Sequence, residues 1–154
     1  MTSARRKSAF SLVELVIVMI IVGMLAAMAI PRFAGATVRQ RADAAARRLV
    51  ADLNMAGRHA YQTGSSQTVV FNLTDHSYQM PGLIDPQRPG QEYVIELMDE
   101  PYLTRLVSVD FSGFEKVTFD GYGVPDNGGT IVIAAGDEKR TISVDADTGE
   151  AYLP

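Results

Sequence analysis

The chain has 154 residues, 47% of them hydrophobic and 21% charged, with a formal net charge of −4 and no cysteine. That length holds one domain, or one domain on a stalk, and the absent thiols exclude disulfides and thiolate metal sites. The net charge hides an asymmetry: residues 1–60 carry nine Lys/Arg against three Asp/Glu, and residues 61–154 carry five against fifteen, so a basic stalk precedes an acidic head.

Arg5, Arg6 and Lys7 stand just before an apolar run from Phe10 to Ile30. As a helix, residues 10–30 would span about 32 Å, enough for a hydrocarbon core of roughly 30 Å. The basic residues before the run leave the N-terminus in the cytoplasm and send the rest across. Two other readings fit an apolar run, a plain membrane anchor and a cleaved secretory signal with its small-x-small site at Ala27-Met28-Ala29. Against the signal stand the length of the run, Pro31 just after that site, and Glu14 inside the run. A carboxylate at a bilayer centre costs on the order of 2.5–3.5 kcal/mol by insertion scales, so Glu14 asks for a reason.

The order of residues supplies one. A basic leader, a small residue (Ala9), Phe10, Ser11, two apolar residues, Glu14 and a long apolar run resembles the processing site of type IV prepilins and type II secretion pseudopilins. The resemblance implies that a dedicated prepilin peptidase cuts between Ala9 and Phe10 and methylates the new amine of Phe10. Ala9 stands where the family usually has Gly. It also implies that Glu14, fifth in the processed chain, pairs with the N-terminal amine of a neighbouring subunit in a filament. Burying a carboxylate beside such a fixed positive charge recovers much of its cost. The alternative is a Glu that only snorkels to the headgroups from near the helix end.

After Pro31 the helical period continues with a different character. Val38, Ala42, Ala45, Leu49, Leu53, Ala56 and Ala60 recur at three- and four-residue spacing, while Arg39, Arg41, Arg47, Arg48, Asp52 and Arg58 fall mostly elsewhere around the helix. This predicts an amphipathic helix laid on a domain and ending near Gly64, with its arginines forming a solvated face rather than a nucleic-acid site. Gly23, Pro31 and Gly35 weaken the helix between its two halves.

From residue 68 the period becomes that of strands: TVVFNL, HSYQM, EYVIEL, LTRLVSVDF, KVTF, TIVIAA, RTISVD and AYL, separated by Gly/Pro/Asn/Asp-rich turns. Their short connections predict antiparallel meanders. The fold class expected is α+β and pilin-like, a long N-terminal helix packed on antiparallel sheet. The divisions are a leader (1–9), a transmembrane or filament-core helix (10–30), an amphipathic helix of the head (31–64) and a β-rich head (65–154). Residues 117–152 carry a second resemblance. An FD-x-x-G strand end at Phe119, Asp120 and Gly123, a Gly-rich turn, two strands and a TG turn at Thr148 and Gly149 look like the end of the type II secretion pseudopilin H family, which also covers certain minor type IV pilins.

Catalytic chemistry finds no constellation. His59 and His76 fall on different predicted elements with no nucleophile pattern nearby. The DADTGE stretch at 145–150 places Gly149 where a calcium loop would need an oxygen ligand, so a hairpin turn is expected. Neither an enzyme nor a cofactor or metal is expected. The two resemblances imply a minor pseudopilin held in the inner membrane with a periplasmic head. Its partners would be the prepilin peptidase, major and minor pseudopilins and the secretion assembly platform, with nucleic acid not expected. A minor type IV pilin in assembly initiation or DNA uptake, and a membrane-tethered ligand-binding domain outside any filament, remain open at this point.

Overall fold

The computed structural model describes residues 11–86 and 88–154; for residues 27–34 it describes the backbone alone. Ala9 and Phe10 therefore lie outside the described residues. Helix α1 runs Leu12–Thr63. The Ser11 carbonyl accepts the Leu15 N–H at 3.1 Å, which makes Ser11 the N-cap and puts Glu14 third in the helix. The backbone is helical through Gly23, Pro31 and Gly35, the positions expected to weaken it. A proline removes one hydrogen bond of the ladder, and strong helix formers on both sides carry the rest. The helix stops at Gly64, whose φ of 61° needs no Cβ to be accommodated. There the Ser65 N–H reaches back to the Ala60 carbonyl at 3.3 Å, closing the last turn as a Schellman motif.

Tertiary contacts divide the chain into a unit ending at Thr37 and one beginning at Val38. In the first unit, the large apolar side chains from Leu12 to Leu25 are 46% to 78% exposed on every face of the helix. In the second, α1 turns one face to a core: Ala42, Ala45, Ala46, Leu49, Leu53, Ala56 and Ala60 are all 0% exposed. Five alanines on that face let sheet backbone approach closely, and the two leucines contribute about 1.5–3 kcal/mol each by burial. Asp52 departs from expectation. The sequence sets it among the charges off the apolar stripe, yet it is only 4% exposed, because it borders that stripe and finds polar partners there.

Eight strands follow: β1 (Gln67–Asn72), β2 (Ser77–Ile84), β3 (Glu92–Glu96), β4 (Arg105–Asp110), β5 (Lys116–Phe119), β6 (Gly129–Ala135), β7 (Glu138–Val144) and β8 (Ala151–Tyr152). They form two antiparallel sheets, one ordered β3-β2-β1-β5 and the other β4-β6-β7-β8. The meander expectation holds for β1 to β3 and for β6 to β8. It fails for the two strands between: β4 joins β6, with Val109 opposite Ile131, and β5 returns to β1, with Val117 opposite Val69. All four of these apolar side chains are buried. The strand exchange places them in one core against α1, alongside Tyr78, Phe111 and Phe119. A second difference lies in β2, which runs past Met80 through Pro81 and Gly82, where a loop was expected. The register with β3 shifts between Met80 and Ile84, an irregularity where a residue lacking an N–H is tolerated.

Candidate assembly site

Glu14 is the only charged residue among residues 11–26, and it is exposed. As the third helical residue after a Ser N-cap it stands in the S-x-x-E spacing of a capping box, in the first turn, where the helix dipole favours an anion. No described residue pairs with it. Among the described residues no helix is long and apolar enough to cross a membrane. The stretch expected to do so, residues 10–30, begins and ends outside the described side chains.

In the head, α1 is held to the sheets by polar groups as well as by its apolar face. Asp52 accepts the Tyr78 hydroxyl at 2.7 Å and the Arg48 Nε at 3.0 Å, and Arg48 Nη2 donates to the Tyr93 hydroxyl oxygen at 2.6 Å. Tyr78 is fully enclosed, and burial, then the charge of Asp52, pushes its pKa well above the usual phenol value. The same two causes push Tyr93 up to about 12. Burial opposes the charge of Arg48, but the hydrogen bonds and charges of Asp52 and Tyr93 together outweigh it and raise its pKa. The sequence signal for this cluster was Asp52 one step from Leu53 and three from Leu49, a carboxylate on the edge of an apolar stripe.

A second set of charges ties α1 to β7. Arg39 donates to Glu138 at 2.8 Å and Arg140 to Asp43 at 2.6 Å, with a longer Arg140–Glu138 contact of 3.5 Å. The Arg39 hydrogen bond holds Glu138 below its ordinary carboxylate value, and the bond to Asp43 raises Arg140. Arg140 is thereby committed within its own head, while Lys139 stays exposed.

The two C-terminal sequence motifs meet. Asp120 accepts the N–H groups of Tyr122 and Val124, both at 2.9 Å, turning the chain after Phe119. Gly123 then runs at φ 80°, where a Cβ would sit 3.0 Å from the Gly57 carbonyl of α1. Gly149 runs at φ 71°, where a Cβ would sit 2.5 Å from the Gly123 carbonyl. Three backbones, from α1, the 120–124 turn and the 145–150 turn, touch through glycines where no side chain fits. The DADTGE segment is the hairpin turn expected. Asp145 Oδ1 accepts from Thr148 N, Thr148 Oγ1 and Asp147 N at 2.8–3.0 Å, and these bonds hold its carboxyl below the ordinary value. Beside it, Asn54 bonds the Ala151 backbone in both directions, at 3.0 and 2.9 Å.

His59 lies on α1 and His76 in the turn between β1 and β2, each with an enclosed Nδ1 that has no hydrogen-bond partner among the described residues. Among the described residues no group of three or more His, Asp or Glu is placed to hold a metal ion.

Solved structures share this fold. The type IV minor pilin FimU of Pseudomonas aeruginosa matches in two crystal forms. One has a TM-score of 0.58 at 17% identity over 75% of this chain and 90% of that one, the other 0.54 at 16% over 73% and 91%. The minor pseudopilin EpsH from the Type 2 Secretion System of Vibrio cholerae matches with a TM-score of 0.55 at 14% identity, over 74% of this chain and 96% of that one. No curated protein matches the chain. Residues 4–30 match the prokaryotic N-terminal methylation motif. Residues 45–148, which hold Gly57 and Gly123 of the glycine junction, both ends of the Asp52 cluster and all but the last strand, match the family described as Type II transport protein GspH, more than half of the chain, and the chain belongs to that family.

Proposed function

We propose that the chain is a minor pseudopilin of a type II protein secretion system, a mechanical subunit with no catalytic role. The observation that carries this is Glu14, a lone carboxylate in the first turn of a helix whose large apolar side chains from Leu12 to Leu25 are exposed on all sides. An apolar surface of that extent needs lipid or other helices to cover it, and one carboxylate within it needs a cation. A bilayer covers it before assembly, with the N-terminus cytoplasmic, one crossing of the inner membrane and the head in the periplasm. Neighbouring major and minor pseudopilins cover it afterwards, with the processed amine of one Phe10 facing the Glu14 of another. The prepilin peptidase frees that amine between Ala9 and Phe10. The assembly platform then draws the subunit into a short pseudopilus that helps move folded proteins outward.

A second reading is a minor type IV pilin that acts in pilus assembly initiation or DNA uptake; the fold shared with FimU favours it. A strain lacking the gene separates the two. Loss of exoprotein release with unchanged twitching and DNA uptake supports secretion, and the reverse supports the pilus. Intact mass of the membrane-purified protein tests the processing step, with loss of residues 1–9 and one added methyl expected. A chain beginning at Ile30 would mean an ordinary signal peptide and no filament.

A further inference from the structure

Two tyrosines of the head stand in the open. Tyr61, in the last turn of α1, is 67% exposed, and Tyr122, in the 120–124 turn, is 81% exposed. Single exposed aromatics are common on any protein surface. These two line one groove of about 450 Å³, bounded by α1 and by the 120–124 and 145–150 turns. That volume falls within the range of small-molecule sites, about 300–1,000 Å³.

The fold explains why the groove stays open. Gly57, Gly123 and Gly149 line it with backbone, at the junction where no side chain fits. Gly121 extends the junction, since a Cβ there would sit 2.9 Å from the Gly64 carbonyl, so the turn lies against the end of α1. With backbones in contact beneath them, the rings of Tyr61 and Tyr122 have no gap in the core to enter.

The polar side chains around the groove are uncommitted. Arg58, Gln62 and Glu150 line it and are exposed. Among the described residues, none of these three side chains and neither tyrosyl hydroxyl has a hydrogen-bond or ion-pair partner. A guanidinium only donates hydrogen bonds, a carboxylate only accepts them, and an amide and a phenol do both. One charge of each sign on the same rim disfavours a ligand with net charge of either sign. The tyrosine faces ask for apolar C–H surface. A pyranose ring meets every one of these demands: hydroxyls that donate and accept around its edge, C–H groups on its faces, and no charge. A proline-rich peptide suits aromatic rings but lacks the N–H donors that Glu150 needs.

We infer that this groove binds a neutral saccharide, with pyranose faces on Tyr61 and Tyr122 and hydroxyls shared among Arg58, Gln62 and Glu150. The site is built on the end of α1 remote from Val38, with Gly57 about 28 Å along the helix from that residue. It needs no second copy of the chain, so it is compatible with all subunits pointing the same way in a membrane or a filament. The inference goes beyond the proposed function and holds for a secretion subunit and a pilus subunit alike; its failure would leave that function untouched.

Titration calorimetry of the full-length chain tests it, in micelles of a polyoxyethylene detergent, whose headgroup is neither a sugar nor charged. The probes are maltotriose and triacetylchitotriose, one plain and one N-acetylated. Saturable binding of at least one is expected, with a dissociation constant of about 1 mM or tighter. Tyr122→Ala should weaken that binding about tenfold, whereas Tyr122→Phe, which keeps the ring face, should stay within about twofold of wild type. Both variants should keep the wild-type circular dichroism spectrum, because Tyr122 lies outside the core. No saturable binding of either saccharide, full affinity in Tyr122→Ala, or saturable binding of an oligoproline peptide in their place would each overturn the inference.

Discussion

The Tyr78 hydroxyl donates to the Asp52 carboxylate across 2.7 Å, joining β2 to the head half of α1 inside the core. Both residues are almost fully enclosed, so the bond is made where water does not compete. Tyr78→Phe removes the donor and leaves Asp52 with the partly exposed Arg48, which should lower stability by about 1–2 kcal/mol. Asp52→Ala should be worse, because it strands both the Tyr78 hydroxyl and the Arg48 guanidinium. Urea unfolding of the full chain in micelles measures both; equal stability of wild type and Asp52→Ala would mean that the cluster contributes nothing.

Alkali should loosen the same seam. Tyr93 rises from 10.0 to about 12 on folding, and Tyr78 is raised as well, burial being the first cause and Asp52 the second. A tyrosine with a raised folded pKa adds stability while it is neutral, in full below its unfolded pKa and lost as pH climbs through the folded one. Stability should therefore hold up to about pH 10 and fall between there and pH 12. Thermal melts across that window check it, and Tyr78→Phe/Tyr93→Phe should show a shallower decline.

Glu14→Gln should leave membrane insertion intact, since removing a charge only eases partitioning into lipid. Filament assembly should fail or slow, because the neighbouring amine loses its partner. Crosslinking to other filament subunits in cells reads this out. A wild-type crosslinking pattern would remove the pairing role from Glu14.

Two glycines with positive φ should respond differently to alanine. At Gly64 a Cβ meets nothing within 4 Å, so Gly64→Ala carries only the left-handed backbone strain, about 1–2 kcal/mol. At Gly149 the added Cβ would sit 2.5 Å from the Gly123 carbonyl and 3.1 Å from Pro125, so Gly149→Ala adds a backbone clash to that strain. The expected order of melting temperatures is wild type, Gly64→Ala, then Gly149→Ala; a Gly149→Ala protein as stable as Gly64→Ala would contradict the tight junction.

Duplex DNA should bind no better than weakly at physiological salt. Phosphate contacts need free cations, and after residue 60 only Arg88, Arg105, Lys116, Lys139 and Arg140 are basic, against fifteen acids. Arg88 is held by Asp85 and Arg140 by Asp43, which leaves few to give. Anisotropy titration of the full chain decides this. Submicromolar binding that falls steeply with salt and is lost in Lys139→Ala/Arg140→Ala would move the function toward DNA uptake.

The family, the helix and the strands were all legible along the chain. Hydropathy of period 3.6 marks α1 from Val38 to Ala60, Gly64 marks its end, and runs rich in Val, Ile and Thr mark the strands to within a few residues, because these signals act between near neighbours. The FD-x-x-G and TG motifs were legible too, but their reason was not: only the fold brings Gly123, Gly149 and the helical Gly57 into backbone contact. Which strand pairs with which was likewise decided in three dimensions. Val117 could face any apolar neighbour, and its place opposite Val69 follows from two sheets sharing one core with α1. Asp52 shows the same division. A carboxylate at the edge of an apolar stripe can turn to water or inward, and it turns inward because Tyr78, 26 residues away in sequence, presents a hydroxyl there. Local periodicity is written in the order of residues, whereas partners far apart in the chain exist only once the core has closed.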